Sequence, residues 1–168
     1  MNKLKKYTMI GMLFVLITGT LSHFIYEWSG NNFIVGFFFP VNESTWEHMK
    51  LVFFPMLLYS IFMYKKLNEK YPCILSSLSL GILIGTFLIP VIFYTYTGIL
   101  GYNTFILNIA TFALSVILAF CSIYKLTLSH KIKYCIPASY VLVFAVMVCF
   151  MVFTYHPPQI GLFAVPTP

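Results

Sequence analysis

Residues 73–96 read CILSSLSLGILIGTFLIPVIFYTY, a run without a charged side chain. A helix rises about 1.5 Å per residue, so about 20 apolar residues cross the roughly 30 Å hydrocarbon core of a bilayer. The run therefore predicts a transmembrane helix. Stretches of similar length and composition lie on both sides of it, and the five predicted spans are 7–26, 46–64, 73–96, 104–124 and 134–155.

The composition of the whole chain agrees with this interpretation. Of its 168 residues, 60% are hydrophobic and 8% are charged, whereas a soluble domain carries about 25% charged residues. So few charges cannot cover the surface of a soluble enzyme, and a net charge of +6 is too small for a nucleic-acid groove. We expect an all-α, polytopic integral membrane protein, with residues 1–168 forming a single transmembrane domain in a lipid bilayer and no nucleic-acid partner.

The placement of the lysines predicts the orientation. A five-span arrangement puts nine of the ten on one side, and only Lys50 on the other; the nine are Lys3, Lys5, Lys6, Lys65, Lys66, Lys70, Lys125, Lys131 and Lys133. Lysine-rich loops stay in the cytoplasm, so the N-terminus is predicted inside and the C-terminus outside. We expect a multi-pass protein of the bacterial cell membrane. The first span lacks a signal-peptidase-like A-x-A site, and we expect it to be retained.

Two apolar features call for structural rather than chemical explanations. Residues 30–41, GNNFIVGFFFPV, are apolar but too short to cross a bilayer. We expect this segment to lie along the outer interface or to enter the membrane as a re-entrant loop whose backbone is covered by protein. Ser77, Gly81 and Gly85 are spaced four residues apart, and such a ladder of small residues predicts the close approach of a neighbouring helix.

The rare acids and histidines gather on the predicted outer side. Three of the four acids and three of the four histidines lie there: Glu27, Glu43, Glu47, His23, His48 and His156. Ionisable groups near hydrocarbon are costly and usually face the protein interior or a water-filled cavity. The remaining pair, Glu69 and His130, lies among lysines in inner loops, and we assign them no role.

The spacing of these residues suggests shared faces. His23 and Glu27 are four residues apart and lie on one face of the first span. Ser44-x-x-Glu47 is typical of a capping box, in which Ser44 caps the second helix and Glu47 reaches back to it. Capping does not account for His48 or Lys50. We predict that His156 lies beside these faces and that together they line one outward-facing pocket.

Three interpretations of this polar group remain open. It is a metal site with zinc or a similar divalent ion, a hydrogen-bonded network that fastens the helices, or a relay for protons or cations. In the metal interpretation the ligands are His23, Glu27, His48 and His156, and the catalytic residues are Glu43 and Glu47. A metal-bound water would then hydrolyse a lipid or peptide substrate. Otherwise the chain is a non-enzymatic membrane protein, such as a transporter subunit, an immunity factor or a partner in assembly with another membrane protein.

One stretch of the sequence resembles a known family. Residues 40–51, PVNESTWEHMKL, together with His156-Pro157-Pro158 and the short apolar tail that follows, resemble an uncharacterised bacterial family of small multi-pass membrane proteins, labelled as a domain of unknown function. The resemblance implies an integral membrane protein and carries no activity with it. The architecture is also loosely similar to membrane-embedded zinc hydrolases typified by alkaline ceramidases, but the chain lacks their seven spans and their HxxxH pair.

Overall fold

A computed structural model describes residues 2–129 and 137–166 of the chain. Within these ranges the protein is helical and has no strand, which confirms the predicted all-α class. The helices are α1 (Lys3–Trp28), α2 (Phe33–Gly36), α3 (Thr45–Leu67), α4 (Ile74–Leu100), α5 (Phe105–Leu128) and α6 (Pro137–Tyr155), followed by a 3₁₀ turn at Gly161–Phe163. His130, Lys131 and Lys133 lie outside the described residues.

Four of the described helices are long and apolar enough to cross a membrane: α1, α4, α5 and α6. The chain is therefore a candidate membrane protein with a lipid bilayer as its surroundings. The remaining long helix, α3, has 23 residues, but Glu47 and Lys50 lie near its start and Lys65 and Lys66 near its end. Its crossing of the bilayer, and with it the five-span, N-in and C-out topology, stays a prediction.

Helix α3 nevertheless forms the centre of the bundle. It packs between α1 and α4, while α5 covers α4 and α1, and α6 packs along α4. Its fully buried residues include Met49, Phe53 and Met56. Because lipid is as apolar as these side chains, close van der Waals packing rather than exclusion of water holds such helices together.

The predicted ladder of small residues lies where α4 meets α5. A Cβ atom added at Gly81 would overlap the Ile123 side chain, and one added at Gly85 would lie 2.8 Å from the Cβ of Ala119. These two glycines therefore let the backbones of α4 and α5 approach closely, as the spacing predicts.

The ends of several helices meet at one end of the bundle, which we call the Ser44 end. Here α1 and α6 finish and α3 begins. The C-terminal tail folds over this end: the ring of Phe163 packs on Trp46 with 4.9 Å between centroids, and the Tyr94 hydroxyl donates to the Gly161 carbonyl at 3.0 Å. The opposite end, where α4 begins, is the Lys70 end.

Candidate metal centre

The start of α3 is set by a polar cap. Ser44 is the N-cap, and its hydroxyl accepts a hydrogen bond from the Glu47 amide at 3.3 Å. The other half of the predicted capping box is absent, because the side chain of Asn42 accepts from the Ser44 amide at 2.9 Å in place of Glu47. The cap fixes the first turn of α3 and therefore the position of His48, which lies one turn into the helix.

The cap also fixes which nitrogen of His48 carries its hydrogen. His48 Nδ1 lies 2.9 Å from the Ser44 carbonyl oxygen, which can only accept, so Nδ1 is the donor. In the neutral ring the lone pair is then on Nε2. That atom lies 3.4 Å from Oε2 of Glu43, so two acceptors face each other unless a proton or a cation lies between them.

Helix α1 supplies a second imidazole to the same carboxylate. His23 Nε2 lies 3.5 Å from Glu43 Oε1, and the ring centroids of His23 and His48 are 5.4 Å apart. The three residues each offer one ligand atom, and these atoms lie within 4.8 Å of one another. A carboxylate from the loop before α3 is thus held between imidazoles from two helices, and we call these three residues the His–Glu–His cluster.

The ligand atoms of the cluster would have to move closer together to hold one metal ion, because the two imidazoles contact different oxygens of Glu43 and the three ligand atoms lie within 4.8 Å of one another. Separations of 3.4 and 3.5 Å exceed the roughly 2.7–3.2 Å of an ordinary N–H···O bond. In a tetrahedral zinc site with bonds of about 2.1 Å, neighbouring ligand atoms are about 3.4 Å apart. The side chain of Glu43 is 64% exposed, so it is free to adjust around an ion.

The electrostatic environment keeps the carboxylate ionised. The imidazole of His48 interacts with the Glu43 side chain and lowers the pKa of its carboxyl group below the ordinary value, and the charges of protonated His48 and His23 add to this effect. Partial burial of Glu43 acts in the opposite direction but does not prevail. Glu43 is therefore held in its anionic form when the histidines beside it are protonated, and a metal ion bound in place of those protons would favour the same form.

A pocket of about 160 Å³ adjoins the cluster. It is lined by polar and apolar residues of α3, α4 and α5, of the loops before α3 and between α4 and α5, and of the C-terminal tail. These residues are Glu43, Thr45, His48, Leu51, Ile89, Phe93, Asn103, Asn108, Thr111, Phe112 and Pro166. Thr45 is one of these residues, and its buried hydroxyl oxygen has no hydrogen-bond partner in the part of the chain that the structure describes. A buried hydroxyl without a partner is costly, so this group is suited to a bound molecule that supplies one.

A second polar group lies beside the cluster but is fully buried. Lys50 Nζ lies 2.7 Å from Glu47 Oε2, and neither side chain is more than 2% exposed. The ammonium also donates to the Gly36 carbonyl at 2.9 Å and to the Thr154 hydroxyl at 2.6 Å. Lysine has three protons to donate, so its hydrogen-bonding capacity is fully used.

The Glu47 carboxylate is equally engaged. Its Oε2 atom also accepts from the Val41 amide at 3.0 Å, and its Oε1 atom lies 3.2 Å from the Thr154 hydroxyl. This buried network ties the segment before α3 and the end of α6 to the first turn of α3. Within residues 30–41, Gly36 and Pro40 are buried and the Phe33 ring lies 4.4 Å from the Tyr155 ring, whereas residues 30–34 are exposed.

The structure brings together only some of the residues singled out from the sequence. Two of the predicted ligands, His23 and His48, meet Glu43, which was predicted as a catalytic residue. The other two, Glu27 and His156, are exposed and lie outside both the cluster and the pocket wall. The predicted convergence on a single pocket therefore does not extend to them.

Sequence reasoning missed Thr154, which lies in the last turn of α6 and contacts both Lys50 and Glu47. A threonine in an apolar helix gives no signal of its own. The signal was Lys50, because a lysine near the start of a buried helix needs an anion and further acceptors around it.

Comparison with known proteins gives a family but no activity. A family model described as "Family of unknown function (DUF6512)" matches residues 1–166. No curated protein and no solved structure matches the chain significantly. The resemblance to an uncharacterised family is therefore confirmed, and any function must be argued from the site.

Proposed function

Because the chain belongs to the DUF6512 family, whose function is unknown, we propose a function from the geometry of the site: the His–Glu–His cluster binds a divalent metal ion that activates water for hydrolysis. Zinc fits best, since two imidazoles and one carboxylate are a known ligand set of catalytic zinc, with water in the fourth position. The substrate is an amphipathic lipid or peptide that enters the adjoining pocket.

A single observation carries this proposal. His48 donates its Nδ1 hydrogen to the Ser44 carbonyl and directs Nε2 toward the Glu43 carboxylate. Metal-bound histidines usually donate their other ring hydrogen to a carbonyl or carboxylate in this way, which fixes the tautomer and the orientation of the ring. A cation between Nε2 and the carboxylate also removes the unfavourable meeting of two acceptors.

The pocket supports the choice of substrate. Its walls include Phe93, Phe112 and Ile89, which suit a hydrocarbon group, while Glu43 and His48 lie at its polar side. The Thr45 hydroxyl would donate a hydrogen bond to a substrate oxygen. Pockets that bind small molecules commonly combine apolar walls with a few convergent polar groups.

The chemistry required of the site is limited. A zinc ion held by His23, Glu43 and His48 would lower the pKa of a bound water to about 7 and so supply a nucleophile at neutral pH. Hydrolysis would join the water oxygen to the acyl carbon of the substrate and break the bond to the leaving oxygen or nitrogen, with the water protons ending on the products. In this account Glu47 positions the first turn of α3 through Lys50 and does not contact the substrate.

The experiment is a zinc titration of metal-free protein in detergent by calorimetry, with hydrolysis of fluorogenic ester lipids measured in parallel. We expect one zinc per chain and zinc-dependent hydrolysis. His48→Ala, His23→Ala and Glu43→Gln should each weaken zinc binding at least tenfold. His156→Ala and Glu27→Gln are matched controls, because they change the same residue types at the same end of the bundle outside the cluster.

Two results would overturn the proposal. One is wild-type protein that binds no zinc, and the other is equal loss of binding in the cluster variants and the controls. Zinc binding without hydrolysis of any ester or amide lipid would remove the enzymatic part and leave a metal site.

A second candidate function rests on a different feature of the same cluster. Glu43 lies between imidazoles of α1 and α3, so it can link the two helices as an ion pair when the histidines are protonated. In that case the chain is a non-enzymatic membrane protein and the cluster is a clamp. The clamp predicts that chelators leave the thermal stability of the wild type unchanged, while zinc added to metal-free protein produces no stabilisation.

A further inference from the structure

A second cavity lies at the Lys70 end, on the far side of the bundle from the candidate metal centre. It has a volume of about 200 Å³ and lies between the start of α4 and the end of α5. Its walls are formed by Lys70, Tyr71, Pro72, Cys73, Ile74, Ser77, Leu126 and Thr127. None of these residues is acidic.

Ser77 forms part of the cavity wall and has an unusual environment. It is 1% exposed, and among residues 2–129 and 137–166 its hydroxyl oxygen has no hydrogen-bond partner. The sequence assigns Ser77 to the ladder of small residues, but the tight contact with α5 starts one turn later, at Gly81 against Ile123. Ser77 lies one turn before that contact and borders the cavity, so an anion in the cavity would give its hydroxyl an acceptor.

The charges around the cavity favour an anion. Helix α4 begins at Ile74, runs for 27 residues and has no acidic residue in its first turn, so the positive end of its dipole is not offset there. Lys70 is part of the wall, and its ammonium lies 5.8 Å from the centroid of the Tyr71 ring, another wall residue. More lysines lie at the same end, with Lys65 and Lys66 closing α3 and Lys125 near the end of α5. Glu69 is the one acidic neighbour along this stretch and is exposed.

We propose that this cavity binds a phosphate group, with the Lys70 ammonium as its counter-ion and the Ser77 hydroxyl as a hydrogen-bond donor. The phosphate comes from the headgroup of an anionic phospholipid. Basic pockets between helices near the lysine-rich face of a membrane protein are suited to such headgroups. Tyr71, Ile74 and Leu126 add an aromatic and aliphatic rim that suits the boundary between headgroups and hydrocarbon.

The test measures lipid binding to the full-length protein by native mass spectrometry. Detergent-solubilised protein is titrated with phosphatidylglycerol, with zwitterionic phosphatidylcholine as the reference lipid and with inorganic phosphate as a competitor. We expect phosphatidylglycerol to bind at least tenfold more tightly than phosphatidylcholine. Ser77→Ala and Lys70→Gln should each reduce that preference at least threefold. Ser79→Ala and Lys66→Gln, on neighbouring positions outside the cavity wall, should leave it within twofold of the wild type.

Each outcome decides the proposal. In one outcome, millimolar inorganic phosphate competes with the lipid, and the preference for phosphatidylglycerol falls in the same two variants. That result supports the phosphate site and identifies the free ion as its ligand. Unchanged binding in Ser77→Ala and Lys70→Gln overturns it. An equal loss of lipid preference in Lys66→Gln overturns the proposal as well, because the preference then reflects the total charge of the Lys70 end. Lys70 is exposed, so Lys70→Gln keeps the test decisive if Ser77→Ala misfolds.

Discussion

The buried Lys50–Glu47 pair makes the sharpest prediction about stability. In Lys50→Met the side chain keeps a similar length but loses its charge. The Glu47 carboxylate then stays buried, at 2% exposure, and among the described residues it keeps the Val41 amide and the Thr154 hydroxyl as partners. The Gly36 carbonyl also loses its donor. The variant therefore leaves an uncompensated charge and an unpaired acceptor in the protein interior.

The size of the effect follows from this burial. Removing one partner of a buried ion pair costs about 3–5 kcal/mol. For a chain of this length, about 1 kcal/mol shifts the midpoint of thermal unfolding by about 2–4 °C, so Lys50→Met should lower it by roughly 6–20 °C. Glu47→Gln should have a similar effect, because it leaves the ammonium unpaired. The double variant removes both charges, so its loss in the free energy of unfolding should be smaller than the sum of the two single losses. The difference, which is the coupling energy, should be at least about 2 kcal/mol.

The assay is thermal unfolding in detergent, followed by the fluorescence of Trp46, which packs in the same region. Lys65→Met is the matched control, since this lysine is exposed on the same helix and should change the stability by about 0.5 kcal/mol or less. A loss in Lys50→Met no larger than in the control, or strictly additive losses in the double variant, would refute the buried network.

Further predictions concern the backbone, the helix cap and the topology. Gly36→Ala should destabilise by about 1–3 kcal/mol, because a Cβ there would overlap a neighbouring side chain; Gly98→Ala, which meets open space, should cause no loss in the same unfolding assay. Ser44→Ala should cost about 1 kcal/mol through loss of the N-cap, measured in the same way. In a variant without natural cysteines, a cysteine at Gly101 should react with an impermeant reagent from outside and one at Asn68 should not. The reverse pattern would contradict the N-in, C-out topology.

Much of the fold could be predicted because it depends on composition along the chain. The apolar runs locate the long helices, and the contact of Gly81 and Gly85 with α5 follows from their spacing. The run 46–64 located α3 as well, but with its charged residues this helix does not meet the composition of a membrane span. A hydropathy score sums the contributions of single residues. It therefore contains no contribution from the ion pair in which Glu47 and Lys50 neutralise each other inside the bundle.

The site could be predicted only in part. Residue types and topology indicated which end of the bundle is polar, and they named His23, His48 and Glu43. The sequence did not predict which residues at the Ser44 end contact one another. A four-residue spacing places His23 and Glu27 on one helical face, but it does not show which of the two faces the protein interior. Tertiary packing decides that point: Glu43 comes from the loop before α3 and lies between the histidines, while Glu27 stays exposed.

The measurement that tests the central claim most directly is zinc-edge X-ray absorption on zinc-loaded protein. The account predicts a first shell of nitrogen and oxygen at about 2.0–2.2 Å, with the scattering of two imidazoles and one carboxylate. One imidazole should vanish from the spectrum in His48→Ala and none in His156→Ala. A sulfur shell at about 2.3 Å, or a spectrum unchanged by His48→Ala, would show that zinc binds elsewhere and contradict the assignment of the cluster.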